Sequence, residues 1–244
     1  MIPARRKKPK KSPAPVHPFD AQHGTETGSL IPGDDLATGH HSDRHITAYH
    51  GTSPSLFEKL LTRWRDDFAK HPLEKTAFID IGAGKGRAML LAGEHPFRRI
   101  AGVELHPGLA ARARENIDLW RATHEDAPAI ALFEQDVLRM RIPAGPCLFF
   151  LFNPFGAYMM DMFLTRLRRE FASRPGECDL LYVNDEQWPL MEEAHPQFKQ
   201  LWRGRIHLSR ADAAADRATI KHDADGIYVT TGYEDCSIYR LMKR

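Results

Sequence analysis

Cysteine is scarce: the 244 residues hold three, Cys147, Cys178 and Cys236. None has metal-ligand spacing and each lies in or beside an apolar segment, so they read as buried thiols, and no metal is expected. An odd count without a signal peptide points to a reducing compartment, and a cytoplasmic location is expected. Long apolar runs are lacking too. No stretch approaches the ~18 residues that cross a bilayer, so no membrane partner is expected. A broad excess of positive charge is also missing, despite a formal charge of +2. Residues 1–11 carry Arg5, Arg6, Lys7, Lys8, Lys10 and Lys11 without an acid, which leaves −4 for the remainder. A mildly acidic folded part lacks the electrostatic footprint of a duplex-binding domain.

What is plentiful at the start is proline. Pro3, Pro9, Pro13, Pro15 and Pro18 oppose any helix, so residues 1–45 are expected to be a disordered basic, Pro-rich tail. Its run at 1–11 is where nucleic acid or an acidic partner would bind, beside the plainer role of a solubilising tail. His40, His41 and His45 cluster without a cysteine and read as part of this segment. Residues 46–244 are expected to form one domain. It starts with Ser53 capping a helix over 53–70, whose first position is Pro54. Leu56, Phe57, Leu60, Leu61, Trp64 and Phe68 form the inner stripe.

The chain is organised around residues 77–92, where an apolar run, Ala77–Ile81, meets Gly82, Gly84 and Gly86 and then a helix-forming stretch. Glycines at spacing two make a sharp turn and let backbone approach a ligand. Lys85 is followed by Gly86 rather than Ser or Thr, against a phosphate loop. Position 87 is Arg where a dinucleotide fingerprint has its third glycine. Arg99–Glu104 is the next strand and ends in an acid twenty residues beyond Gly84. A carboxylate there can accept from both hydroxyls of a ribose.

A core over 76–193 follows this pattern, with a helix from Pro107 and a strand to Glu134. Asp136 is placed to accept from an adenine amine, with Val137 flanking the ring. Cys147–Phe152 is the most continuous apolar run and is expected at the sheet centre. It stops at Asn153-Pro154-Phe155-Gly156, at a strand end where such folds place chemistry. Asn153 offers a carboxamide oxygen to an attacking amine, and Phe155 offers a surface for the acceptor or cofactor. Arg166, Arg168 and Arg169 read as a solvated helix face, and Asp185-Glu186 as a rim of the acceptor pocket. An antiparallel hairpin over 198–241 closes the sheet around a mobile polar insert at 209–226.

Asp80-Ile81-Gly82-Ala83-Gly84-Lys85-Gly86 followed by Gly102-Val103-Glu104 resembles the class I methyltransferases that use S-adenosylmethionine (AdoMet). The resemblance spans about residues 49–241 and implies an α/β, Rossmann-like doubly wound sheet. It implies AdoMet as cofactor, held by Asp80, Gly82, Ala83, Gly84, Gly86, Glu104, Asp136 and Val137. Tyr49-His50-Gly51-Thr52-Ser53 and Asn153-Pro154-Phe155-Gly156 are similar to the non-SET histone-lysine methyltransferase branch. That likeness implies that the upstream loop, with Thr52, closes over the cofactor and that Asn153 faces the transfer channel. Pro154 stands where that branch has a second Asn. Transfer of methyl to a nitrogen, of a protein lysine or a small amine, is the expected activity. An NAD(P)-dependent oxidoreductase and a non-catalytic module binding nucleic acid through its tail are the alternatives.

Overall fold

The computed structural model describes residues 13–40, 43–223 and 228–243. The basic run at 1–11, with the nucleic-acid contact expected of it, and His41 lie outside these residues. The described chain opens with α1 (Pro18–His23), β1 (Leu30–Ile31), β2 (Tyr49–His50) and α2 (Pro54–Asp67). There follow β3 (Ala77–Ile81), α3 (Arg87–Gly93), β4 (Arg99–Glu104), α4 (Pro107–Arg121) and β5 (Ile130–Glu134). Then come β6 (Cys147–Phe152), α5 (Ala157–Glu170), β7 (Cys178–Val183), α6 (Trp188–Ala194), β8 (Phe198–His207), α7 (Arg210–Asp223) and β9 (Tyr233–Leu241).

Strands β3 to β9 form one sheet in the order β5-β4-β3-β6-β7-β9-β8. Four neighbouring pairs are parallel, and β9 runs against both β7 and β8. This is the expected Rossmann-like sheet with an antiparallel C-terminal pair. Because β3 pairs with β4 on one side and β6 on the other, chain order reverses between β3 and β6. In open α/β sheets a crevice forms at the carboxyl ends of the strands flanking such a reversal.

Alternation along the strands feeds two cores. Phe78, Ile100, Leu148 and Phe150 belong to the one that includes α2 and α3, while Ile79, Ile81, Phe149 and Leu151 pack with α5. Both faces are covered, which is why these strands read as apolar runs with little alternation. On α2, Leu56, Phe57, Leu60, Leu61 and Trp64 are buried as their spacing predicts. No described helix is long and apolar enough to cross a membrane.

Two segments depart from expectation. Disorder to residue 45 is not what the described part shows, because one carboxylate organises it. Asp20 accepts the N–H groups of Thr27 and Gly28 and the hydroxyls of Thr25 and Thr27 at 2.6–2.8 Å. It also meets Arg87 Nη2 at 3.3 Å, both side chains being buried. Pro18, read as a breaker, is instead at the first turn of α1, and the His17 ring caps it by accepting the Phe19 N–H. The described part of the insert expected at 209–226 is not a mobile excursion either, since Arg210–Asp223 form α7. Its Asp212, Asp216 and Thr219 are buried, and its Asp223 accepts the Leu30 N–H at 2.9 Å. A helix without an apolar stripe is docked here through hydrogen bonds from a polar one.

Candidate active site

The crevice at the β3/β6 reversal is a solvent-connected cleft of about 1040 Å³. Gly82, Gly84 and Gly86 all have left-handed backbone, with φ of 71°, 55° and 91°. Two of them are also glycine for lack of room. A Cβ on Gly84 would overlap the Tyr49 ring, and one on Gly82 would lie 2.9 Å from Pro154 Cβ. The turn after β3 is therefore gripped between the N-terminal segment and the exit from β6.

Glu104, at the tip of β4, reaches back to this turn. Its Oε2 accepts the Gly84 N–H at 2.7 Å and its Oε1 the His106 N–H at 2.8 Å. Each oxygen keeps acceptor capacity for a further donor. Burial pushes the Glu104 carboxyl above its ordinary range, against the two N–H groups that favour its charge. Asp80 stands beside it, 3% exposed, and no hydrogen bond from a described residue reaches its carboxyl group. Burial, and then the charge of Glu104, push its carboxyl up to about 8. A buried carboxylate at the floor of an open cleft with no donor of its own is a place for a cationic or donor-bearing ligand.

Asp136 and Val137 line the same cleft past the end of β5. Asp136 Oδ1 caps the following turn by accepting the Leu138 N–H at 2.8 Å. Arg166 steadies that turn by donating to the carbonyls of Val137 and Met140. It is thus a support of the site and not the solvated face expected of it. On the other side, Pro154, Phe155 and Met159 form an apolar wall.

The roof comes from residues 45–52. Ile46 bridges to Phe155, Thr47 donates its hydroxyl to the Asn153 carbonyl at 2.6 Å, and the Gly156 N–H reaches the His45 carbonyl at 3.1 Å. Tyr49 donates its hydroxyl to the Thr27 carbonyl at 2.6 Å while its ring covers Gly84. Arg87 ties this strap to α3. Its Nε donates to Thr27 Oγ1 at 2.6 Å, and its Nη1 approaches the Gly51 and Thr52 carbonyls at 3.4 Å.

Of the residues singled out from sequence, Thr52, Asp80, Gly82, Ala83, Gly84, Glu104, Asp136, Val137 and Phe155 line this one cleft. Gly86 shapes the turn without lining it. Asn153 does not line it either: its backbone is left-handed with φ 39°, its carbonyl is taken by Thr47, and its Oδ1 is 3.5 Å from the Tyr182 hydroxyl. Asp185-Glu186 forms no rim. Asp185 is buried against Arg203 at 2.8 Å and takes the Ser237 hydroxyl, while Glu186 is exposed. The sequence places Tyr49 and His50 in the loop expected over the cofactor but assigns neither a side-chain role, and it leaves His45 in the tail and Arg87 without a part in the site. Among the described residues no group of His, Cys, Asp or Glu is arranged to hold a metal ion. The three cysteines are free and buried.

No protein-family model and no curated protein sequence matches this chain. Solved structures do resemble it. A Pyrococcus horikoshii protein provisionally described as an RNA methyltransferase superposes with a TM-score of 0.50 at 13% identity, over 76% of this chain and 83% of its own. Thermoplasma acidophilum 1320 gives 0.50 at 10% identity, over 76% and 88%. An RNA methyltransferase from Salinibacter ruber, in complex with S-adenosyl-L-homocysteine, gives 0.45 at 15% identity, over 79% and 94%. At these identities the likeness is one of fold: a Rossmann-like, mostly parallel sheet with an antiparallel C-terminal pair.

Proposed function

We propose that this chain is an AdoMet-dependent methyltransferase acting on a nitrogen, that of a protein lysine or a small amine, in the cytoplasm. The observation that carries the reading is the pair of buried carboxylates, Asp80 and Glu104, flanking a glycine turn in one cleft. AdoMet fits that donor-poor, acid-rich floor: it brings an ammonium, a sulfonium and two ribose hydroxyls. NAD would instead set two phosphate charges against Asp80 and Glu104, and the Arg87 guanidinium is already committed to Asp20 and Thr27. Asp80 would take the ammonium, the free acceptor sites of Glu104 the ribose, and Asp136 with Val137 the adenine. The cofactor supplies a methyl group already activated on sulfur, so the protein's part is alignment and exclusion of water. Pro154, Phe155 and Met159 would wall the acceptor, with the strap at 45–52 closing over it. The lysine-branch reading is supported by the closeness of its two signature stretches, since Ile46 and Thr47, just ahead of Tyr49, meet Phe155 and the Asn153 carbonyl.

Glu104→Ala is expected to weaken AdoMet binding by about 1–3 kcal/mol, through lost charge-assisted hydrogen bonds. Calorimetry giving equal affinity for the variant would remove Glu104 from the cofactor site. Labelled methyl from AdoMet, added with the protein to a cell lysate, is expected to enter amine nitrogens. Label appearing in no acceptor class would sink the enzymatic reading.

A further inference from the structure

A histidine in the roof of the cleft is backed by a carboxylate. His50 lines the cleft, and its Nε2 lies 3.6 Å from Asp216 Oδ1. Its Nδ1 is buried and has no hydrogen-bond partner among the described residues. Asp216 is itself 4% exposed and fixed from its other oxygen, which accepts the Ser53 hydroxyl at 2.6 Å. His17 Nε2 is 4.0 Å from Asp216 Oδ1, and Glu234 of β9 also lies within the field of His50. Burial opposes ionisation of Asp216, but His50, Ser53 and His17 outweigh it and hold the carboxyl below its ordinary range. An anionic Asp216 favours the imidazole tautomer with its proton on Nε2, which leaves the Nδ1 lone pair as a proton acceptor. The docking of α7 now has a purpose. It brings Asp216 to a histidine that the N-terminal strap brings to the cleft.

We propose that His50, oriented by Asp216, is the base that removes a proton from the methyl acceptor. The inference rests on the methyltransferase reading above and names the acceptor class within it: an amine that arrives protonated and has no free lone pair until it meets the enzyme. The acceptor ammonium gives its proton to His50 Nδ1. Its freed lone pair forms the nitrogen–carbon bond as the carbon–sulfur bond breaks, and that bond's electron pair stays on sulfur. Asp216 acts as a positioning residue, stabilising the imidazolium. Nothing else lining the cleft combines a ring nitrogen without a partner and a buried carboxylate behind it.

The test reads the ring directly and the reaction separately. In the full-length chain saturated with S-adenosylhomocysteine, nitrogen NMR of His50 is expected to show the Nε2–H tautomer, and Asp216→Asn to lose that preference. His50→Gln is expected to lower labelled methyl transfer into lysate acceptors by about 10²–10⁴-fold. Added imidazole should restore part of the activity lost in His50→Gly. A His50 ring protonated on Nδ1 in the neutral form, or His50→Gln transferring methyl like the parent, overturns the inference and leaves the cofactor site standing. A parent chain that gives no heat with S-adenosylhomocysteine overturns the methyltransferase reading and this inference with it.

Discussion

Asp80 carries the sharpest consequence at the scale of one residue. With its carboxyl pushed up to about 8 by burial and then by Glu104, it is protonated at neutral pH in the free protein. Its unfolded value lies near 4, so folding raises its pKa. Its favourable contribution to stability is complete below about pH 4 and is lost as pH rises towards 8. A cationic ligand favours the ionised form and reverses that cost. Binding of AdoMet at pH 7 is therefore expected to release close to one proton, and affinity is expected to climb between about pH 6 and 8. Calorimetry in buffers of different ionisation enthalpy reads the proton count. Asp80→Asn should abolish the release, and an unchanged count in that variant would place the titrating group elsewhere.

Among the elements, the strap and α7 are held by polar contacts, which is why sequence patterning passed them over. The strands and α2 announce themselves through apolar periodicity, and Gly82, Gly84 and Glu104 through spacing. The strands and the glycine turn are found where that reading puts them, while α2 stops at Asp67 instead of 70 and leaves Phe68 half-buried just past its end. The strap has no such stripe. It is fastened by Arg87 at the Gly51 and Thr52 carbonyls and by Tyr49 at the Thr27 carbonyl, and Asp20 in turn gathers Thr25, Thr27, Gly28 and Arg87, groups scattered over more than sixty residues. On α7 the buried polar positions are Asp212, Asp216 and Thr219, with Ala213 the one buried apolar residue beside them, and Asp223 follows at a helical spacing of four, three and four. Asp212 supplies the cap expected of Ser53, accepting the Ser55 N–H at 2.8 Å, while Ser53 turns to Asp216. Asn153 misled for a related reason. A strand-end carboxamide looks available in sequence, but the left-handed turn at φ 39° accompanies a side chain directed to Tyr182. For the strap, Arg87→Met is expected to cost about 3–5 kcal/mol, because it leaves the Asp20 carboxylate buried without its cation. Urea unfolding checks this, and a loss below about 1 kcal/mol would mean that the segment is held by other contacts.

Across the whole molecule, three pieces far apart in sequence close one cleft. The sheet's order reversal opens it between β3 and β6, the tips of β4 and β5 line one end, and the strap roofs it. Gly84 and Glu104, which the reading from sequence assigned to a single ligand, are 2.7 Å apart through the Gly84 N–H. A nucleoside held there would have its ribose towards β4 and its adenine towards β5, and its amino-acid end beneath the strap at Asp80. The cleft floor presents two carboxyl groups that a cation would ionise, which suits a cationic cofactor and opposes a pyrophosphate. The most direct measurement is a crystal structure of the full chain with S-adenosylhomocysteine. The ligand is predicted to span Asp80, Glu104 and Asp136 within this cleft. Its appearance anywhere else, or an empty cleft at saturating ligand, would contradict the account.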